Sequence, residues 1–554
     1  MPPRFPAVRA LLPLALALAP GCARPPADPE LVLHNGRVFT ADADTPWAEA
    51  VLVRGERVAL VGTSQEVLAA AAPAATRVDL EGRVVIPGLN DAHVHIAPGG
   101  PATQVVVSPD PVPDPTLAQV LDSLRAVTAR LPAGRWIEVQ VSEQVLRHPR
   151  ARRAALDAAA PGHPVLLKGF TGHGSIFNSA GLAALGIEES VADPLGGRFE
   201  RDAAGRLTGL VEEYAEFNLI EPLVVGTDSA AVVAAFQDYA RNAAGWGVTS
   251  LQAFATGTSP ATLARVLPAL DLPVRLRLIP WPLTTSTGRQ EAAWNALTPP
   301  AGGRITISGR KYILDGTPVE RLAAMRQPYA DAPTSGRINL PADTIRAILA
   351  EALARNDQPI FHASGDSTIA VLLQAMTELA PDSAWQRLRP RIEHGDGLAP
   401  DQVPLAARLG VVLVENPAHF TVMPTLLVRM GPARMAHYQP VRTALEAGMV
   451  VALGSDGPPN PFLNIMLATF HPANPGEALS VEQAVRALTI ASAWAEHAEG
   501  ERGGIVAGLQ ADLAVLSQDI FAIAPDRLPA TRSLLTVVGG RVVWDPNGWV
   551  VRQR

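Results

Sequence analysis

The sequence predicts an α/β protein built on a (β/α)8 barrel, with a small β-structure made from both chain ends and an inserted subdomain after the first barrel strand. Two observations carry the barrel. Eight apolar, β-branched runs each end in polar residues, and most precede an Ala/Leu-rich helical pattern. Their spacing is also regular: 62 residues separate Thr249 from Lys311 and 62 separate His394 from Asp456, each across two units, so one unit spans 31 residues. That length suits a strand, a helix and two loops. Eight such units close into a barrel whose chemistry lies at the carboxyl ends of the strands.

In chain order, the opening MPPRFPAVRALLPLALALAPGC places Arg4 and Arg9 before an apolar run from Ala10 to Ala19, followed by Gly21-Cys22. A basic start, an apolar stretch too short to span a bilayer and a small-residue exit read as a secretory signal over residues 1–21. Cys22 directly after Gly21 resembles a bacterial lipoprotein signal, in which that cysteine is lipidated and becomes the first mature residue. The alternative is a plain cleaved signal with a chance cysteine. Acyl chains contribute about 0.8 kcal/mol per buried methylene, so the expected location is the cell envelope or periplasm, with membrane contact only through the anchor. Residues 22–30 are a Pro-rich linker. LVLHNGRVFTAD and AEAVLVRGERVALVG then alternate apolar and polar residues around Asn-Gly and Arg-Gly turns, reading as short antiparallel strands. The pattern returns in ADLAVLSQD and SLLTVVGGRVVWD, so residues 31–85 and 505–554 are expected to pair their edges in one small domain.

Residues 86–504 hold the barrel strands: LNDAHVHI, GVTSLQAF, VRLRLIPWP, ITISGRKYILDGT, QPIFHASGD, RPRIEHGD, GVVLVENP and MVVALGSDGP. Two gaps break the rhythm. His93 to Thr249 is 156 residues, which requires an inserted subdomain at about 97–240, and Lys311 to His362 is 51, room for a long loop over the site. Composition narrows the function classes. The 554 residues carry a formal charge of −7, with 48% hydrophobic and 18% charged residues, which excludes a disordered or collagen-like chain. With no long Lys/Arg block, nucleic acid is not an expected partner. A single cysteine excludes an internal disulfide and a Cys-rich zinc site.

Four of the 12 histidines end proposed strands: His93 and His95 in DAHVHI, His362 in FHASGD and His394 in RIEHGD. Side chains two apart on a strand share a face, so His93 and His95 form a chelating pair aimed into the barrel mouth. A lone buried histidine is usually a satisfied core residue, but four at one rim read as a metal site. Asp456, in GSDGPPNP, ends the last strand. Alone it reads equally as a helix cap; beside four histidines it reads as ligand and general base. Only Lys168 and Lys311 among 46 basic residues are lysines. A lysine inside an apolar strand directly after Arg310 indicates a need for an amine, because a buried lysine sheds its proton and combines with carbon dioxide to a carbamate, which guanidinium cannot do. The alternatives are a Lys311–Asp315 ion pair and Lys168 in the insertion as the reactive amine.

Asp91-x-His93-x-His95 after IPGL, Lys311-x-x-x-Asp315-Gly316-Thr317, His362-Ala363-x-Gly365-Asp366, Glu393-His394-Gly395 and Gly454-Ser455-Asp456 together resemble the amidohydrolase superfamily, in its YtcJ-like metal-dependent branch, and GLQADLAVL resembles that family's return to its β-sandwich. The resemblance runs from about residue 30 to the end. It implies a distorted TIM (β/α)8 barrel with a β-sandwich from both termini and one or two divalent ions, usually Zn²⁺. Carried over residue by residue, it makes His93, His95, His362, His394 and Asp456 metal ligands and Lys311 the bridging N6-carboxylysine. His173 and Asn178 in GHGSIFNSAGL match the branch's inserted-segment motif and are assigned, with His419 of ENPAH, to substrate contact; loop hydrogen bonds are the alternative. The implied activity is hydrolysis of an amide-type C–N bond in a small substrate, and the Gly, Pro and Trp of IPWP and GSDGPPNPF favour a hydrophobic one. A mononuclear deaminase on the same barrel and a non-catalytic envelope binding protein are the rival readings. Active as a monomer or a homo-oligomer, it needs only a small-molecule partner.

Overall fold

The computed structural model describes residues 28–96, 102–105, 107, 115–225 and 228–550. The signal segment, Cys22 and most of the linker lie outside the described residues. Among the described residues no helix is long and apolar enough to cross a membrane.

At the centre are two all-parallel sheets whose strands follow one another in sequence order. The first joins Leu89–His95, Val248–Phe254, Arg275–Ile279 and Ile305–Ile307; the second joins Arg310–Ile313, Pro359–Ala363, Arg391–His394, Val412–Glu415 and Val450–Leu453. Most of their residues are buried, as parallel strands covered on both faces must be. The sequence reads ITISGRKYILDGT as one strand, but the structure breaks it at Gly309. That residue has φ +74°, and a Cβ there would lie 2.9 Å from both the Arg277 guanidinium and Ile360. Ser308 accepts from Arg277 on the near side of the break. The first and last strands meet at their ends: Ser455 N–H donates to Asp91 Oδ1 at 2.9 Å and Asp456 N–H donates to the His93 carbonyl at 3.0 Å.

The connecting helices show why these segments return to the sheets. In Ala342–Arg355, Ile345, Ile348, Leu349 and Ala352 are buried at helical spacing, and Asn356 ends the helix in the left-handed conformation at φ +50°. The strand after it begins at Pro359.

Both chain ends enter one mixed sheet, in which Leu513–Leu516 pairs antiparallel with Val84–Pro87 and with Ser533–Val538. A second sheet holds Glu30–His34, Ala50–Arg54, Arg57–Gly62 and Thr76–Asp79. The Arg54–Arg57 turn closes a hairpin as its sequence suggests, with Gly55 at φ +56°. The Asn35-Gly36 turn does not. It sends Glu30–His34 and Arg37–Phe39 into different sheets, because Asn35 is held by Asp79 and Ser64, and Gly36 sits where a Cβ would meet Leu80 at 2.3 Å. Leu31, Val38, Val51, Leu513 and Leu535 share one apolar cluster between these sheets.

Between the first two central strands the chain builds a six-stranded sheet of its own, ordered Gly197–Arg201, Leu207–Glu213, Gly174–Phe177, Val165–Gly169, Ile137–Val141, Thr103–Val105. An ion-pair network fastens it over the centre: buried Glu143 accepts from buried Arg429 at 2.7 Å and from Arg321 at 3.2 Å, and both arginines also bind Asp331. The long segment after Lys311 thereby packs against helix Met423–Met435 through Val319, Met325, Leu426 and Met430.

Candidate metal centre

Each candidate ligand except Lys311 stands toward the carboxyl end of a central strand, or just beyond it. His93 and His95 lie on one strand, His362 and His394 on two others, Lys311 within a fourth and Asp456 three residues after a fifth. The backbone is strained where two of them sit: His394 has φ +72° and Asp456 φ +36°. Such conformations cost about 1–3 kcal/mol each and persist where surrounding contacts enforce them. Gly454 lets the last strand approach, since a Cβ there would lie 2.3 Å from His93 Cβ.

The side chains converge on Asp456. Its Oδ1 is 3.1 Å from His95 Nε2 and 3.4 Å from His93 Nε2; its Oδ2 is 3.3 Å from His419 Nε2 and 3.7 Å from His394 Nδ1. The ring of His394 is centred 4.4 Å from that of His362 and 4.9 Å from that of His93. Ligand atoms of His93, His95 and Asp456 cluster within 4.8 Å, as do those of His394, His419 and Asp456. His419, expected to touch substrate, is thus also placed to hold an ion.

Hydrogen bonding fixes which nitrogens are available. His93 Nδ1 lies 2.6 Å from Glu393 Oε2. Burial alone would raise the Glu393 carboxyl, but Arg391 and the His93 contact outweigh it and hold it at about 2, so it accepts the Nδ1–H. His93 Nε2 is then a bare lone pair, 3.2 Å from His95 Nε2 and facing Asp456. A corner where lone pairs and an anionic oxygen converge suits a cation, and His394 Nδ1 is buried with no hydrogen-bond partner among the described residues. Burial pushes His93 down to about 4 and His362 and His394 well below the usual range, giving the neutral imidazoles that metal binding requires. These residues fit a divalent ion.

Residues around the ligands carry the arrangement, and three of them have no role assigned by the sequence. Arg391 donates to both oxygens of Glu393, at 2.7 and 3.0 Å, and to the Ala92 carbonyl at 2.7 Å. Asp91 Oδ1 accepts from His93 and Ser455 N–H, fastening the first strand to the last. The available signal was alternation: Arg391 and Glu393 are two charged residues on the same face of a fully buried strand.

Lys311 is 1% exposed, and its Nζ lies 4.2 Å from the centre of the Phe254 ring. Burial lowers it to about 8, against the pull of Glu393 and Asp456. Among the described residues no ion pair joins it to Asp315. That carboxylate instead accepts from the N–H groups of Ser364, Gly365 and Ala324 and from the Thr368 hydroxyl.

One cavity of about 520 Å³ opens over the centre, reaching His95, Lys311, His362, His394, His419 and Asp456. Its far wall comes from the insertion. His173 reaches the centre from there: its ring is 4.8 Å from that of His362, and its Nδ1 is 3.1 Å from Glu213, whose charge overrides burial and raises it to about 9. Asn178 does not reach the cavity. Its carboxamide oxygen accepts from Val165 and Gly181 N–H and its nitrogen donates to the His163 carbonyl, so it caps helix Ser179–Ala184 rather than touching substrate.

Parallel α/β sheets with histidines and an aspartate converging at strand ends define the class of metal-dependent hydrolases built on such sheets. Residues 76–544 match the model of the Amidohydrolase family, and the chain belongs to that family. It is 26% identical over 548 residues to the putative amidohydrolase YtcJ of Bacillus subtilis (strain 168), covering 93% of this chain and 99% of the relative. It is 28% identical to N-substituted formamide deformylase of Arthrobacter pascens, over 94% of this chain and 99% of that one. The crystal structure of an uncharacterized metal-dependent hydrolase from Pyrococcus furiosus superimposes with a TM-score of 0.65 at 23% identity, covering 89% of this chain and 100% of the other, a likeness of fold. The protein is therefore a hydrolase of non-peptide C–N bonds in small molecules, from a metal-dependent family.

Proposed function

We propose that the protein hydrolyses an amide-type C–N bond of a small, hydrophobic substrate with water, at the centre formed by His93, His95, Lys311, His362, His394 and Asp456. The observation that carries this reading is the convergence of His93, His95, His394 and His419 on the two oxygens of Asp456 at the floor of the cavity. In this reading those residues, with Lys311 as N6-carboxylysine, would hold one or two Zn²⁺ ions, which would supply Lewis acidity toward water and the substrate carbonyl. Lys311 suits that modification because burial lowers it to about 8 and, among the described residues, no carboxylate forms an ion pair with it.

Asp456 is the general base. Burial would raise its carboxyl, but the surrounding histidines hold it well below the carboxylate range, so it stands ionised to accept a proton. It takes the proton of the attacking water and returns it to the leaving nitrogen; the C–O bond forms as the C–N bond breaks, giving a carboxylic acid and an amine. Glu393 holds His93 in one tautomer throughout. Phe217 and Trp281, with ring centres 5.2 Å apart, and Leu283 give the cavity an apolar wall for the substrate's body.

The fold that accompanies this reading is a distorted, closed (β/α)8 barrel over residues 86–504 with the insertion at about 97–240, and a β-sandwich from 31–85 and 505–554. It is supported by the contacts of Asp91 and His93 with Ser455 and Asp456 and by the sheet shared between the termini. We further read the chain as exported and lipid-anchored at Cys22; Cys22→Ala should then release it from membranes, and unchanged membrane fractionation refutes the anchor. A homo-oligomer is compatible with this reading.

N-formyl amides, suggested by the name of the Arthrobacter relative, are the first compounds to test, followed by N-acyl and cyclic amides. Metal-free protein should be inactive, and zinc should restore turnover at one to two equivalents (about the capacity of such a site). Asp456→Asn should keep metal and lose turnover; normal turnover in that variant removes the general base from the mechanism.

A further inference from the structure

The cavity wall opposite the histidines carries the chain's other lysine. Lys168 lies on strand Val165–Gly169, in register with Gln140 on one neighbouring strand and Ser175 on the other. Registered residues share a face of the sheet, so the three form a polar row across it. The same face presents Leu166, Phe177 and Val211 to an apolar cluster shared with Ala215 and Leu219 of helix Tyr214–Val225. Where that face emerges beyond the cluster, Gln140, Lys168 and Glu216 line the cavity.

The charges in this row are unbalanced. The Lys168 side chain makes no ion pair or hydrogen bond among the described residues. Its charge acts on Glu216, whose Oε1 accepts from the Ser175 hydroxyl at 2.5 Å and whose Oε2 is buried without a hydrogen-bond partner. Burial raises Glu216 to about 7, so much of it is neutral near neutral pH and carries an O–H rather than a charge. Elsewhere the protein neutralises its own carboxylates with arginine, whose planar fork suits paired contacts. Lysine is a mobile point charge with three donors, suited to a ligand that comes and goes. Phe217 and Trp281 line the same cavity close to the centre: the Trp281 ring is 5.8 Å from the His95 ring and the Phe217 ring 6.0 Å from the His173 ring.

We propose that Lys168 binds a carboxylate at the end of the substrate remote from the scissile amide, with Gln140 as a second donor and the Phe217–Trp281 wall holding an aryl body between them. The inference rests on the hydrolase reading above and narrows its substrate class to aryl amides with a distal carboxylate. Lys168 acts here in specificity, and the bond broken is still the amide C–N bond.

The test compares 4-(formamidomethyl)benzoate with the uncharged 4-(formamidomethyl)benzamide as substrates, and the product amines 4-(aminomethyl)benzoate and 4-(aminomethyl)benzamide as ligands by calorimetry. Full-length protein should prefer the carboxylate by about tenfold or more in kcat/KM and in binding, the range of one charge-assisted contact. Lys168→Met should erase that ratio, Lys168→Arg should retain most of it, and Gln140→Leu should reduce it. Equal ratios in native protein and Lys168→Met overturn the inference, as does a native protein that treats the two compounds alike. If neither amide is hydrolysed, the amide reading fails for this class, while the ratio of product-amine affinities still decides the role of Lys168. If Lys168→Met does not fold, Gln140→Leu and the native ratio decide it.

Discussion

Glu393→Gln tests the reasoning behind the metal centre most sharply, because it changes one atom's chemistry without changing the shape. In the native protein Glu393 accepts from His93 Nδ1 at 2.6 Å and from Arg391 at 2.7 and 3.0 Å. A carboxylate accepts on both oxygens; a carboxamide accepts on one and donates from the other end. With the amide oxygen turned to Arg391, the NH₂ faces His93 Nδ1 and forces that nitrogen to accept. The proton then moves to Nε2, the atom that faces Asp456 and His95, and the ligand lone pair is lost. Turning the amide the other way sets its NH₂ against a buried guanidinium. Loss of an outer partner of a metal-bound histidine lowers metal affinity or activity about 10–100-fold, or about 1.4–2.7 kcal/mol. Uncompensated burial of Arg391 costs up to about 3–5 kcal/mol of stability. Metal content by mass spectrometry, turnover of a responsive amide and thermal melting read these effects separately. A variant that binds metal, turns over and melts like the native protein refutes the claim that Glu393 sets the His93 tautomer.

Three further expectations follow from the same geometry. Lys311→Arg should fold, bind about one equivalent fewer of metal and lose most activity, since guanidinium stays charged and forms no carbamate; full activity removes the carbamate from the account. Gly454→Ala places a Cβ 2.3 Å from His93 Cβ and 2.7 Å from its nitrogen, so it should cost about 1–3 kcal/mol and lower the melting temperature of metal-free and metal-loaded protein alike; unchanged melting shows that the strands yield. His173, raised to about 9 by Glu213, contributes stability that is full below its ordinary value of 6.5 and is lost as pH rises through 9. The melting temperature of metal-free protein should therefore fall over that interval, and His173→Asn should flatten the fall; an equal slope in both proteins removes the dyad as its source.

What could be read from the chain alone followed from short-range periodicity. A spacing of two put His93 and His95 on one face, alternating apolar residues marked the strands at both ends, and a single lysine in an apolar run singled out Lys311. These features survive because strand period and residue chemistry are local. The partners of those residues were not local. Glu393 reaches His93 across 300 positions, and Asp91 and Ser455, 364 apart, meet only because the first and last strands come together. Gly309 divides one apparent strand into two because Arg277 and Ile360 leave no room for a Cβ, a constraint written in other segments. Asn178 looks from its motif like a cavity residue, yet the fold turns its carboxamide to Val165, Gly181 and the His163 carbonyl. Strand register, which no single segment specifies, likewise set Lys168 beside Gln140 and Ser175 on the cavity wall. The sequence by itself determined which side chains have the chemistry; packing between distant segments decided which of them face one another, because contact is a property of three-dimensional proximity that local periodicity does not encode.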